Sequence, residues 1–375
     1  MTRPLKILHV ASGDLWAGAE VQAFTLISHL VKIPETAVSA VLLNDGVLAD
    51  KLRSSGIAVC VLNEQQIGSL GILLRLKSVI DVWRPDIVHT HRVKENILGS
   101  IASRISRNVP SVRTTHGSNE RSASSGWRTV GDRVKLRIDQ WCGAHLQKKI
   151  VAVSNSLGRD LTSRFASQRI VVIENGVDID AVRSARGTAE FRSANPRAVH
   201  VGIVGRLVEV KRVDLFIQTA ELLKSSRCKE RWRFHIFGDG PLRSKLGELA
   251  RRLAVSEETT FHGHRRDIAT CIGGLDVLVN CSDHEGLPMS VLEAAALGTP
   301  CVAHAVGGLV DIVPDEFLVV KQEAAAYRDC VLRALHDDAR DIIAKKALST
   351  VTEFSACRNA ERTRELYERI VEEIA

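Results

Sequence analysis

Two carboxylates and two cations are the residues of this sequence best placed to do chemistry. Glu285 and Glu293 lie in DHEGLPMSVLEAAALG, residues 283–298, and Arg206 and Lys211 in VGRLVEVK, residues 204–211. In the first stretch Pro288 suits an opening helical turn, where no N–H is needed, while Gly298 and Thr299-Pro300 suit a stop. This predicts a helix over 288–297. Its start exposes N–H groups to an anion. Glu285 falls in the loop before it and Glu293 more than a turn inside. A carboxylate accepts hydrogen bonds from two adjacent hydroxyls, as a ribose presents them. One ligand could then lie along the element: a hydroxylated group at Glu285, phosphate over the N–H groups between Gly286 and Met289, a ribose at Glu293. Taken singly, Glu285 could equally be a helix cap and Glu293 half of a buried ion pair. In the second stretch a strand ends at Gly205, with Arg206 at its tip and Lys211 across the following turn. Two cations beside exposed backbone N–H groups make a diphosphate site that needs no metal. Arg206 can grip two oxygens, and Lys211 acts as a point charge. The alternative is an ordinary pair of surface cations.

These residues need elements to hold them. Apolar, β-branched runs alternate with helical patterns: KILHVA (6–11), SAVLLN (39–44), DIVHTH (86–91), SVRTTHG (111–117) and KIVAVS (149–154). That is the βαβ rhythm of a parallel sheet covered on both faces. After a polar stretch with an Asn195-Pro196 turn signal, a second series follows: AVHVGIVGRL (198–207), RWRFHIFGDG (231–240), TTFHGH (259–264), DVLVNCS (276–282) and PCVAHAVGG (300–308). The expected architecture is α/β, two doubly wound parallel sheets. The expected divisions are 1–178, a linker and hinge at 179–198, 199–352, and a charged amphipathic helix at 353–375. Ligands of such sheets bind beyond the carboxyl ends of the strands. The tips there include GDLWAGAE (13–20), in which Gly18 lets a ligand approach the backbone, and His116 at the end of SVRTTHG. A glycine turn of this spacing and a lone histidine are each as readily structural.

Composition narrows the class. Hydrophobic residues at 45% and charged residues at 25% describe a globular chain. No apolar run is long enough for a membrane span, and MTRPLKILHVASG reads as a first strand rather than a leader. The eight cysteines form no C-x-x-C pair, which suits core thiols in a reducing cytoplasm and no zinc or redox motif. Residues 1–180 hold 23 Lys/Arg against 16 Asp/Glu, so the whole net charge of +7 lies there. Within them, 121–149 carries seven basic and two acidic residues. Such a segment suits an anionic membrane, with Arg128, Arg133, Lys135 and Arg137 docking, although a solvated helix face is the commoner outcome. Aromatics at 4% leave no base-stacking face for nucleic acid.

GRLVEVK, FGDGP, FHGH and EGLPMSVLEAAALGTP, in this order, resemble the retaining family 4 glycosyltransferases (glycosyl transferases group 1) of GT-B fold. AGAE, DIVHTH, TTHG, VAVSNS and VIENGVD extend the resemblance over the first half. It implies two Rossmann-like domains facing across a cleft, a nucleotide-sugar donor such as a UDP- or GDP-sugar, no cofactor and no metal. Arg206 and Lys211 would neutralise the diphosphate, Glu293 would hold the ribose and Glu285 the transferred sugar. Gly286, Leu287 and Pro288 would meet phosphates and sugar, and His262, Gly263 and His264 would lie against the base. Gly205 would support the diphosphate turn, Gly18 would border the phosphate and acceptor, and His116 would lie near the sugar. The basic first half of the chain adds the expectation that the acceptor is a glycan or a lipid-linked glycan of the cell envelope, met in the cytoplasm or peripherally at the inner face of the membrane. The last helix would pack back on the first domain. The chain departs from the pattern in Ala17-Gly18 for Gly-Gly, in His284 before Glu285, and in a shortened segment after Gly308. The rival expectations are a nucleotide-sugar epimerase of the same fold and a non-catalytic donor-binding subunit.

Overall fold

Each β-branched run named above forms a parallel strand, and a helix lies between each strand and the next. The computed structural model describes residues 3–13, 16–117, 130–226 and 231–374. The chain divides into two compact units, Met1–Gly176 with Ala356–Ala375, and Val177–Ser355.

The first unit runs β1 (Leu5–Ala11), α1 (Gly18–Leu30), β2 (Thr36–Leu42), α2 (Val47–Ser54), β3 (Ala58–Val61), α3 (Ser69–Trp83), β4 (Ile87–Thr90), α4 (Val93–Ile105), β5 (Ser111–Thr115), α5 (Val130–His145), β6 (Gln147–Ala152), α6 (Asn155–Leu161) and β7 (Ile170–Val172). Its seven strands lie in the order β3-β2-β1-β4-β5-β6-β7. The order turns back at β1, so the tips of β1 and β4 flank a switch point.

The second unit runs α7 (Ile179–Ser184), α8 (Glu190–Ala194), β8 (Ala198–Val204), α9 (Val213–Lys224), β9 (Arg231–Phe237), α10 (Arg243–Arg252), β10 (Thr259–Gly263), α11 (Ile268–Gly273), β11 (Val277–Asn280), α12 (Met289–Leu297), β12 (Cys301–His304), α13 (Leu309–Ile312), β13 (Leu318–Val319), α14 (Ala324–Ala334) and α15 (Asp337–Glu353). Its sheet order is β10-β9-β8-β11-β12-β13, with the switch between β8 and β11. The chain ends in α16 (Ala356–Glu372), which belongs to the first unit.

The stretch 179–198, expected as a linker and hinge, is instead built into the second unit. Arg183 donates to the Ala296 carbonyl at 2.9 Å, and Arg192 pairs with Asp276 at 2.5 Å. The Phe191 ring lies 4.1 Å from that of His235. Only Ala189 and Ala198 are buried among its apolar residues, and Phe191 is half-buried. Two short helices with so few anchors leave no apolar period to read.

Helix α16 is laid on the first sheet by a seam at helical spacing. Ala356, Ala360, Leu366, Tyr367 and Ile370 are buried, and the last four join the core formed by Ile7, Leu26, Leu30 and Ile87. Polar contacts set its register on that surface: Gln22 donates to Asn359 at 3.1 Å, and Arg362 pairs with Glu174 at 2.7 Å. Full burial of each apolar side chain contributes roughly 1.5–3 kcal/mol.

Candidate active site

In the second unit the β8 tip and the β11–α12 loop meet. Lys211 sits in a turn of 3-10 helix, Glu209–Lys211, after Gly205, and its Nζ donates to Glu285 Oε1 at 2.5 Å. The same oxygen accepts from Ser282 Oγ at 2.7 Å and from Asn280 Nδ2 at 3.2 Å. The Glu285 side chain is 9% exposed. Burial alone would raise its carboxyl. The Lys211 charge and these three hydrogen bonds outweigh burial and hold it below the usual carboxylate range. Glu285 is therefore ionised and oriented at neutral pH. Arg206 is exposed at the β8 tip and has no ion-pair partner among the described residues.

Helix α12 begins as the prolyl and glycyl signals require. Pro288 is the extended N-cap, and Gly298 terminates the helix in the left-handed conformation at φ 72°. Its first N–H groups have no carbonyl to bond within the helix. Glu293 lies on the buried face, 9% exposed, and makes no hydrogen bond or ion pair among the described residues. Burial alone pushes its carboxyl up from 4.5 to about 7. The ion pair that could have explained this residue is absent there. An acid held in an apolar helix face without a partner is costly, so the structure leaves its hydrogen-bonding capacity for something else.

Other residues hold the loop in place. Gly307 has φ 60°, and a Cβ built there would lie 2.0 Å from the Glu285 carbonyl oxygen. Only glycine lets these two backbones touch. Its neighbour Gly308 donates to the Gly286 carbonyl at 2.7 Å. Asp283 accepts from Gln322 at 2.9 Å and from Arg212 at 3.3 Å, and its own N–H donates to the Val210 carbonyl. It is a tie between the loop, the β8 turn and the short segment after β13. Asn280 and Ser282, which fix Glu285, were not singled out from sequence as its partners, although both lie in the polar tip of DVLVNCS.

His262 is bonded into the sheet. His200 Nε2 faces the Asn195 carbonyl at 2.9 Å, His200 Nδ1 faces His235 Nε2 at 2.9 Å, and His235 Nδ1 faces His262 Nε2 at 2.9 Å. A carbonyl only accepts, so each imidazole in turn must carry its proton on Nε2. Burial lowers all three, His235 to about 3, which keeps the chain neutral. The His262 ring also stacks on Phe237 at 4.5 Å. What this loop presents outward is Gly263, whose carbonyl accepts from Gly238 at 2.7 Å, and the exposed His264.

Gly18 and His116 belong to the first unit. Gly18 is exposed at the start of α1, with nothing within 4 Å of a built Cβ. Asp14 and Leu15 of the same loop lie outside the described residues. The loop end is tied by Glu20, which accepts from the Ala17 N–H at 3.2 Å and pairs with Arg92. His116 stacks on His91 at 5.7 Å, and both its ring nitrogens are buried without a partner. Burial, then His91 and Arg92, hold it well below 6.5, so it is neutral.

The structure also assembles a group that the sequence reading, which placed no metal anywhere, did not find. His9, His89 and His91 bring ring nitrogens within 4.8 Å of one another, a grouping that could hold a metal ion. Parallel pairing sets His9 opposite His89 across some eighty residues of chain. Their hydrogen bonds already use most of those nitrogens. His9 Nδ1 faces His91 Nε2 at 3.0 Å, while His89 bonds Tyr367 and Thr114.

Against this geometry the comparisons with known proteins agree. Residues 16–181 match the family model Glycosyltransferase Family 4, and residues 198–337 match Glycosyl transferases group 1. The chain is 25% identical, over 97% of its length and 96% of the relative's, to UDP-Gal:alpha-D-GlcNAc-diphosphoundecaprenol alpha-1,3-galactosyltransferase of Escherichia coli. It is 29% identical to 2-deoxystreptamine N-acetyl-D-glucosaminyltransferase of Streptomyces fradiae, over 77% of this chain and 72% of that one. In fold it is similar to Anabaena HepE solved with UDP-glucose, at TM-score 0.82 and 20% identity over 97% of this chain and all of that one. Two parallel-sheet units, with matched family models over both halves, show that the chain belongs to the family 4 glycosyltransferases of GT-B fold.

Proposed function

We propose that this glycosyltransferase moves a sugar, with retention of configuration, from a nucleotide-sugar donor to a glycan or lipid-linked acceptor in cell-envelope polysaccharide synthesis. The observation that carries the donor site is Glu293, a buried carboxyl without a partner among the described residues, on the helix whose start follows Glu285. In this reading Glu293 accepts from two ribose hydroxyls. The diphosphate lies over the N–H groups at the start of α12, against Arg206 and Lys211. Glu285, with Oε1 held by Lys211, Ser282 and Asn280, turns its other oxygen to a hydroxyl of the transferred sugar. Gly286, Leu287 and Pro288 line the phosphates and sugar, and Gly263 and His264 lie against the base beside His262. Gly18 borders the phosphate and acceptor, and His116 lies near the sugar.

As the bond from the anomeric carbon to the diphosphate breaks, charge grows on the leaving oxygens. Arg206 and Lys211 stabilise it without reorganising, which contributes most to rate in such sites. The acceptor oxygen bonds the anomeric carbon on the face the diphosphate leaves and passes its proton to the departing diphosphate oxygen, so no protein nucleophile is needed.

The name of the Escherichia coli relative points to a UDP-sugar and a lipid-diphosphate acceptor, and we carry both classes over. We place the reaction in the cytoplasm at the membrane's inner face. No helix among the described residues is long and apolar enough to cross a membrane. Helix α5 exposes Val134, Ile138 and Trp141 at 50%, 41% and 54%, an i, i+4, i+7 stripe flanked by Arg133, Lys135 and Arg137. A basic helix with an exposed apolar stripe suits an anionic bilayer surface. Arg128, and with it 121–129 of the basic segment, lies outside the described residues.

The test is a thermal-shift screen of UDP-, GDP- and ADP-sugars, since a ligand of the folded state raises its stability. One nucleotide class should raise the melting temperature. No shift with any of them overturns the donor site. Donor isomerised without acceptor would favour an epimerase instead.

A further inference from the structure

We propose that an arginine-lined cavity in the first unit binds the phosphate or diphosphate group of a lipid-borne acceptor. The proposal deepens the transferase reading and rests on it. The cavity, about 390 Å³, lies among β5, α5 and α6 beside the β5 tip at Thr115 and Gly117, within the size range of sites that enclose small ligands.

Arg113 forms its floor. The side chain is 3% exposed, donates from Nη1 to Asp139 Oδ1 at 2.9 Å, and lies over the Phe165 ring at 4.5 Å. Its Nε is buried and has no hydrogen-bond partner among the described residues. Arg133 and Arg137 of α5, and Arg164 just after α6, line the same cavity; all three are exposed, and none has an ion-pair partner among the described residues. Of the two lining acids, Asp139 is taken by Arg113, which leaves Asp160 against three guanidinium groups. Three like charges around one cavity repel each other, and no ion pair among the described residues offsets this. They are suited to a shared oxyanion, which arginine grips through paired donors.

Helix α5 tells which kind of oxyanion. Arg133, Leu136, Arg137 and Gln140 turn to the cavity at i, i+3, i+4, i+7 spacing. Val134, Ile138 and Trp141 form the exposed apolar stripe on the adjacent face. One helix therefore offers cations to a head group and apolar surface to a bilayer. A phosphate carried on a lipid satisfies both at once, whereas a free anion would use only the first.

The experiment titrates the full chain with farnesyl diphosphate, farnesol and inorganic pyrophosphate, with UDP in excess to fill the donor site, and repeats this with Arg137→Gln, Arg164→Gln and the double variant. Farnesyl diphosphate should bind at least tenfold tighter than farnesol and than pyrophosphate. Each variant should loosen it threefold or more and the double variant at least tenfold, with UDP affinity unchanged. Unchanged farnesyl diphosphate binding in the double variant overturns the site. Equal binding of farnesol leaves only the apolar stripe, and equal binding of pyrophosphate leaves only a soluble anion. Either result overturns the lipid assignment. Loss of UDP binding with farnesyl diphosphate binding intact would instead count against the transferase reading.

Discussion

Replacing Glu293 with glutamine tests the donor site and the physics of its buried acid together. Burial raises this carboxyl from 4.5 to about 7. Each pKa unit is worth 1.36 kcal/mol, so ionising it in the folded protein costs about 3 kcal/mol more than in the unfolded chain. The sign follows from proton binding. Between pH 4.5 and 7 the folded state keeps a proton that the unfolded state has lost, so stability falls as pH rises through that window and is flat above it. Glutamine has nearly the same shape and no proton to lose. Urea denaturation at pH 5 and pH 8 should therefore show Glu293→Gln gaining roughly 2–3 kcal/mol relative to wild type over that interval. Donor binding should move the other way. Ligand hydroxyls bond best to the ionised acid, so wild-type affinity for the nucleotide should rise with pH up to about 7 and then level. A hydrogen bond to a charged group is worth about 1.5–3 kcal/mol, which makes the loss in Glu293→Gln roughly tenfold to hundredfold at pH 8. A stability difference that does not change with pH would refute the buried, unpaired acid. Unchanged nucleotide affinity would remove Glu293 from the ligand even if the stability effect is found.

Three further outcomes follow from the same geometry. Lys211→Met removes the cation at 2.5 Å from Glu285 and one of the two charges on the leaving group; turnover should fall by about a hundredfold or more, read as initial rate of sugar transfer, and an unchanged rate would exclude Lys211 from the diphosphate. Gly307→Ala puts a Cβ where the Glu285 carbonyl oxygen now lies, at a positive φ; it should cost about 1–3 kcal/mol in denaturation and weaken UDP binding, and wild-type values for both would show that the loop does not depend on this contact. Trp141→Glu places a charge in the exposed stripe of α5 and should abolish flotation with phosphatidylglycerol vesicles while leaving the melting temperature within a few degrees; retained flotation would assign membrane contact to another surface.

What could be read beforehand was what lies close along the chain. Helix α12 was legible to within one residue because Pro288 and Gly298 act locally, one through a missing N–H and one through a left-handed φ. The strands were legible because both faces of each are covered, so their apolar runs are continuous. The pairing of Lys211 with Glu285 was legible only as two strand tips, since it depends on β8 and β11 being neighbours across the switch point. Contacts that depend on register were not legible at all. The His200, His235 and His262 chain runs diagonally across β8, β9 and β10, because His235 pairs with Gly202 and Thr260 and the other two histidines each lie two residues from those partners; in the other group His9 pairs directly with His89 across β1 and β4. Both groups consist of residues that look like unremarkable polar interruptions in apolar strands. The parallel sheet turns such interruptions into ladders, because residues two positions apart on a strand share a face and neighbouring strands lie about 4.8 Å apart. Such a buried ladder must satisfy its own hydrogen bonds. The second unit's ladder does so down to the Asn195 carbonyl, in the stretch expected as a linker and hinge. That bond joins the contacts of Arg183, Arg192 and Phe191 in packing 179–198 on the second unit. The segment closes a polar chain that the sheet interior could not otherwise accommodate.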